Sequence, residues 1–269
     1  MTDGPVRAQL GPAALAAALD AHTAAYFASY ATLPGATFRA DGHVQRLVSG
    51  LPVDLFNAVV LARLTPDTAD ARISAVVAEF QTRALPFVWH VGPTSGPADL
   101  PERLLAHGLA HDEDEPGMAA DLTALPGVPP PEGLTIHGVA DAGALREWVG
   151  LWLGPVPAPV FDACVFAMGG VPHGPAADHE LLLGRLDGRA VAIAELFVGA
   201  GVASVQHVVT AAAARRRGIG AALTHAVLLR APARGYRHPV LTASPEGLGV
   251  YARLGFRSVC TVRRYVPRI

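Results

Sequence analysis

The chain has 269 residues, a length that suits two domains of ordinary size, and 51% of them are hydrophobic, ample for a packed core. A formal net charge of −2 argues against bulk attraction to nucleic acid or to anionic membranes. All 21 basic residues are arginines, so Schiff-base, P-loop lysine and lysine-base mechanisms are excluded. In chain order, Ala13 to Tyr30 is Ala-rich without Pro or Gly and reads as a helix. Asn57 to Leu64 reads as a strand, Ala69 to Arg83 as an amphipathic helix and Leu85 to Val91 as a second strand. A short helix over Leu100 to His107 stops at Gly108, and Met118 to Leu122 reads as a closing strand. Leu125 to Gly133 holds three successive prolines, which suit neither helix nor central strand, and reads as a linker.

Beyond the linker, a strand over Leu134 to Gly138 leads to a helix over Asp141 to Leu153 and, after a Pro-rich loop, a helix over Val160 to Met168. Three strands are expected at Leu181 to Leu186, Ala190 to Val198 and Ala203 to Val209, the first two joined by an Asp187-Gly188 hairpin turn. A helix from Ile219 to Arg230, a strand over Pro239 to Thr242, a helix over Gly247 to Leu254 and a strand over Ser258 to Tyr265 complete the chain. The expected fold class is α/β, a mixed sheet with helices on either side, in two domains: 1–125, a linker at 126–133, and 134–269. Cys164 and Cys260 are far apart and form neither a disulfide scaffold nor a zinc site, and no metal is expected. The N-terminal stretch carries Arg7 but no continuous apolar segment, and the apolar run Ala190 to Val205 is broken by Glu195 and glycines. Neither a signal peptide nor a membrane span is expected, and a cytoplasmic location is.

The sharpest local signal is the passage from Val208-Val209-Thr210 through Arg215-Arg216-Arg217-Gly218-Ile219-Gly220-Ala221. An apolar strand ends, and Arg-x-x-Gly-x-Gly opens a helix. Glycines let the backbone approach a ligand, and the first helical turn presents unpaired amides at the positive end of its dipole. This is a pyrophosphate cradle. A P-loop would need a lysine, and a dinucleotide fingerprint would need Gly or Ala where Leu223 stands and an acid between His238 and Thr242. Nucleic-acid binding by Arg215 to Arg217 lacks a second basic or aromatic cluster.

Downstream stands Tyr251-Ala252-Arg253-Leu254-Gly255-Phe256. With both elements in this order, residues from about Leu134 to Val266 resemble the GNAT superfamily of acyl-CoA-dependent N-acetyltransferases. The resemblance implies an acyl-CoA N-acyltransferase-like fold and acetyl-CoA as cosubstrate. It places the amides from Arg216 to Ala221 on the pyrophosphate, the main chain of Val208 and Val209 beside the pantetheine arm, and Tyr251 as the acid that protonates the departing thiolate. Where the family often has Asn, near the pantetheine, this chain has Ser244. Direct transfer also needs a base, for which Glu195 and His207 are the best-placed titratable residues. The implied acceptor is an amine of a small molecule or a peptide; a non-catalytic acyl-CoA-binding or regulatory module is the alternative. His173 and His179 flank a Gly/Pro/Ala loop and are expected to be solvated, and Trp148 and Trp152 share one helical face.

The two halves also echo each other. Leu85 to Trp89 followed by Leu104 to Leu109 parallels His238 to Thr242 followed by Tyr251 to Phe256. The first half has Leu104 at the tyrosine's place and no glycine between Leu64 and Ala84. It reads as a degenerate copy without a cofactor turn, with an unrelated α/β domain as the other reading.

Overall fold

The structure is a computed structural model that describes residues 4–6 and 9–268; Arg7 lies outside the described residues. The chain divides into two compact units that are not contiguous in sequence. One comprises Pro12–Gly117 with Val259–Ile269, the other Met118–Ser258 with the N-terminal eleven residues. The division thus differs from the sequential cut expected at the prolines.

The first unit opens with helix α1 (Pro12–Ser29). Strands β1 (Thr37–Ala40), β2 (Gln45–Val48) and β3 (Asn57–Val60) follow as an antiparallel meander with Thr37 opposite Val48 and Gln45 opposite Val60. Helix α2 (Ala69–Thr82) then crosses to β4 (Val88–Val91), which lies parallel to β3, and α3 (Leu100–Ala106) leads to β5 (Leu109–Ala119). A core of Phe80, Phe87, Trp89, Leu100 and Leu104 forms behind these strands, with the rings of Phe80 and Phe87 stacked 4.3 Å apart. β5 begins well before the expected Met118. Its first half reads His-Asp-Glu-Asp-Glu, a polar run without strand-like alternation, yet Asp112, Glu113 and Glu115 are all balanced by Arg264.

The second unit opens with β6 (Leu134–Gly138), then α4 (Ala142–Leu153) and α5 (Ala158–Gly169). Asp141 caps α4 by accepting from the Ala144 amide at 2.8 Å, the local reason that helix starts there. Strands β7 (His179–Leu186), β8 (Arg189–Gly199) and β9 (Val202–Thr210) form a second antiparallel meander. Helix α6 (Ile219–Leu228) crosses to β10 (Pro239–Thr242), parallel to β9, and α7 (Pro245–Arg253) leads to β11 (Arg257–Pro267). Most of β11 belongs to the first unit, where Arg263 lies opposite Val91 of β4. α6 buries Ile219, Ala222, Leu223, Val227 and Leu228 against the sheet. A Cβ on Gly184 of β7 would stand 2.7 Å from the Leu223 side chain, so a glycine there is what lets the helix come so close. The proline stretch is no loose tether, because Leu125 and Val128 pack on this unit's core.

Helix, three-strand meander, helix, parallel strand, helix, strand runs through the first half and recurs in the second, which adds β6 and one more helix before its meander; the sequence echo covered the closing strand, helix and strand. Among the described residues no helix is long and apolar enough to cross a membrane.

Candidate active site

β9 and β10 pair only at Ala203 opposite Pro239 and Ser204 opposite Val240. Beyond Ser204 the two parallel strands part, and β9 passes from buried residues to half-buried ones at Gln206. A groove of about 970 Å³ opens there, lined by Val208 and Val209 of β9, by the turn Arg215, Arg216 and Gly218, by Ile219, Gly220 and Ala221 of α6, and by Ser244 and Tyr251. The cofactor residues expected from sequence thus share one groove, apart from Arg217, whose exposed side chain belongs to the same turn but is not part of the lining.

The turn is built by backbone chemistry. Arg216 and Gly218 both adopt positive φ, 64° and 79°, and Gly218 stands as the left-handed cap of α6. The first helical bond runs from the Ala222 amide to the Gly218 carbonyl, so the amides of Ile219, Gly220 and Ala221 precede the helical ladder. Gly220 faces the strand end: a Cβ there would meet Thr210 Oγ1 at 3.4 Å and Val208 Cγ1 at 3.9 Å. Arg215 ties the loop to the strand by donating from Nε to the Thr210 carbonyl at 3.1 Å. Helix dipole, amides without side chains before them and exposed arginines fit a pyrophosphate.

Tyr251 projects from α7. Its ring lies so close to the helix backbone that a Cβ on Gly247 would come within 2.7 Å of the ring edge. Phe256 packs on it edge-on at 6.0 Å. Burial raises the phenol to about 12, so it holds its proton throughout the neutral range. Ser244 caps α7 by accepting from the Gly247 amide at 3.2 Å. Its hydroxyl therefore shapes the helix that carries Tyr251 as well as lining the groove.

The two candidate bases come together. Glu195 of β8 is fully buried, and its Oε2 stands 3.7 Å from His207 Nε2. His207 sits at a β-bulge, where the register slips between Ile193 and Glu195, and has φ 50°. Trp152 packs on its ring at 4.5 Å and Trp148 meets it edge-on at 5.9 Å, so the tryptophan face of α4 is both core and the support of this histidine. Burial lowers the His207 imidazole, with Glu195 raising it and His179 lowering it further.

His179 corrects the expectation of a solvated loop residue. It is the first residue of β7, buried, and its Nδ1 lies 2.5 Å from Glu195 Oε1. Sequence spacing gives no hint of this contact, which depends on strand register. His173, by contrast, stays half-buried in the loop, its Nδ1 2.9 Å from the Val171 carbonyl oxygen. Cys164 is buried, as a small apolar residue would be. No group of three or more His, Cys, Asp or Glu among the described residues is arranged to hold a metal ion.

The first unit lacks this opening. Past β3, the Gly96 amide donates to the Ala62 carbonyl at 2.8 Å and the Leu64 amide donates to the Gly96 carbonyl at 3.0 Å, so the chain beyond β3 stays paired at the place that corresponds to the parting of β9 and β10. Asp70 places a carboxylate in the first turn of α2, paired with Arg103 and His107, where a phosphate would be repelled.

Residues 176–266 match the family model of the acetyltransferase (GNAT) domain. No curated protein sequence matches the chain. Among solved structures, a GCN5-related N-acetyltransferase from Kribbella flavida is 22% identical with a TM-score of 0.72, the match covering 93% of this chain and 96% of that one. One from Sphaerobacter thermophilus is 19% identical with a TM-score of 0.58, covering 99% and 94%. A tandem GNAT protein from the clavulanic acid biosynthesis pathway is 14% identical with a TM-score of 0.59, covering 87% and 83%. At these identities the likeness establishes the fold. Residues 176–266 thus carry an acetyltransferase (GNAT) domain, and the chain shares the fold of these solved neighbours.

Proposed function

We propose that the second unit moves an acetyl group from acetyl-CoA to a primary amine of a small molecule or peptide by direct attack. The observation that carries this reading is the single groove joining the α6 amides to Tyr251 along the open edge of β9. Acetyl-CoA supplies the activated thioester. The amides of Ile219 to Ala221 hold its pyrophosphate, with Arg215 to Arg217 as counter-charges, and the main chain of Val208 and Val209 flanks the pantetheine. Anchoring the long nucleotide end fixes the thioester in one place and so lowers the entropic cost of reaction.

The acceptor's nitrogen lone pair forms the new N–C bond as the C–S bond breaks. The amine proton passes to His207, which burial keeps neutral and therefore able to accept it. Glu195, with no exposed surface, supports His207 and does not touch the acceptor itself. The Tyr251 O–H protonates the departing sulfur, and the phenolate regains a proton from solvent as His207 releases the one it took. The first unit is a copy of the fold without a cofactor turn, so one chain takes one acetyl-CoA.

Thiol release from acetyl-CoA in the presence of an amine panel tests the reading. Release that depends on one class of amine, with N-acetylated product by mass spectrometry, is expected. Tight acetyl-CoA binding without transfer to any amine would point instead to an acyl-CoA-binding regulatory module.

A further inference from the structure

Three neighbouring strands each contribute one member of a side-chain chain that runs from β7 to β9: His179, Glu195 and His207. Leu181 lies opposite Glu195, and His179, two residues earlier, projects from the same face. Glu195 in turn lies opposite Gln206. In a regular strand His207, the next residue, would point to the other face. The bulge and the positive φ of His207 undo that alternation and bring its ring to Glu195. A non-glycine residue at positive φ and a fully buried carboxylate are both costly, and a fold keeps such features together where they serve a site.

We infer that His179 and Glu195 are positioning residues for the base, so that the amine proton is taken by a His179–Glu195–His207 chain and not by a lone imidazole. The inference rests on the acyltransferase reading above. Each carboxylate oxygen serves one ring: Oε1 accepts from His179 Nδ1 at 2.5 Å, and Oε2 faces His207 Nε2 at 3.7 Å. When the attacking amine gives its proton to His207, the imidazolium finds a carboxylate already held in place. His179 moderates that attraction by sharing the same carboxylate, so His207 is stabilised when protonated without being protonated beforehand. The proton leaves His207 to solvent before the next turnover, and nothing is oxidised or reduced.

The groups that face His207 among the described residues come from the elements packed around it. β7 and β8 offer His179 and Glu195, whose charges are the ones acting on it, and α4 offers the uncharged rings of Trp148 and Trp152. β10 carries no titratable side chain between Pro239 and Thr242, and α6 carries only His225, which is not among the charges acting on His207.

The test compares pH profiles of single-turnover transfer for the wild type, Glu195→Gln and His179→Asn, alongside NMR titration of the His207 ring in the resting protein. Glu195→Gln removes the charge that favours the imidazolium. The rising limb of the profile should move to lower pH, and the rate at neutral pH should fall about 10-fold or more. His179→Asn leaves Glu195 to act on His207 alone, and the limb should move to higher pH. The NMR titration should shift in the same opposite senses, with the KM for acetyl-CoA unchanged in both variants. Opposite displacements are not what a merely structural role produces. If both variants melt earlier but leave the limb and the ring titration where they were, the inference is overturned while the acyltransferase reading stands. If one variant does not fold, His207→Gln decides: it must abolish the rising limb, and a persisting limb overturns the chain. A wild-type protein that transfers acetyl to no amine overturns the reading and the inference together.

Discussion

Gly247→Ala separates stability from catalysis more cleanly than any substitution of a reacting group. The added methyl would stand 2.7 Å from Tyr251 Cε2, where two carbons prefer ~3.5 Å, so the ring must retreat by roughly 0.8 Å. Phe256 on the other side limits where it can go, and the hydroxyl at the far end of the ring is displaced with it. A misplacement of about 1 Å costs on the order of 10²-fold in rate, so kcat should fall about 10–100-fold. Replacing a helical glycine by alanine stabilises by roughly 0.5–1 kcal/mol, so the melting temperature should hold or rise by a few degrees. The assay is single-turnover thiol release together with calorimetric acetyl-CoA affinity, which should be unchanged. In a Tyr251→Phe background the alanine should add little further loss, because the two act through one hydroxyl. A folded Gly247→Ala protein with wild-type kcat would refute the claim that the placement of Tyr251 matters.

Tyr251→Phe itself should lower kcat by about 10²-fold and leave acetyl-CoA binding intact; 10²-fold, the low end of the general-acid range, follows because burial raises the phenol to about 12, well above an ordinary thiol. For the same reason the wild-type profile should show no falling limb attributable to Tyr251 up to about pH 10. With burial lowering His207, its rising limb should lie below about pH 6.5, so activity is full at neutral pH and lost on acidification as the ring protonates. Gly218→Val forces a side chain into φ 79° and should cost both stability and acetyl-CoA affinity. Gly220→Val, at ordinary φ but facing Thr210 and Val208, should cost affinity above all; calorimetry showing unchanged binding in the folded variant would refute the pyrophosphate site. Titration should give one acetyl-CoA per chain, and two equivalent sites would contradict the closure of the first unit by Gly96 and Asp70.

The parts of the site made by local backbone chemistry were legible in the sequence. Arg-x-x-Gly-x-Gly after an apolar strand states its own conformation, because only glycine takes φ 79° at no steric cost and only a helix start leaves amides unpaired. The same holds for Leu134 to Gly138 and Pro239 to Thr242, strands whose ends turn residues mark. What depended on register was not legible. His179 and Glu195 meet because β7 and β8 pair with a particular offset, and His207 joins them through a bulge that no periodicity announces. Nor were β1 and β2 legible, because Thr37–Ala40 and Gln45–Val48 are short and partly polar. The acidic start of β5 misled for a related reason: its charges are met by Arg264, which is distant in sequence. The same long-range pairing explains why β11, read as the last strand of the second half, lies against β4 of the first unit.

The proposed meeting place of acyl thioester and amine is the open edge of β9. The most direct test incubates the full chain with acetyl-CoA and a panel of small and peptide amines, following free thiol and acylated product together. Equimolar CoA and N-acetylated amine are expected for at least one class, with no acetyl group left on the protein and with transfer reduced in Tyr251→Phe. Acetyl-CoA bound by the wild-type chain but transferred to no amine, or transferred equally well without the Tyr251 hydroxyl, would contradict the acyltransferase reading.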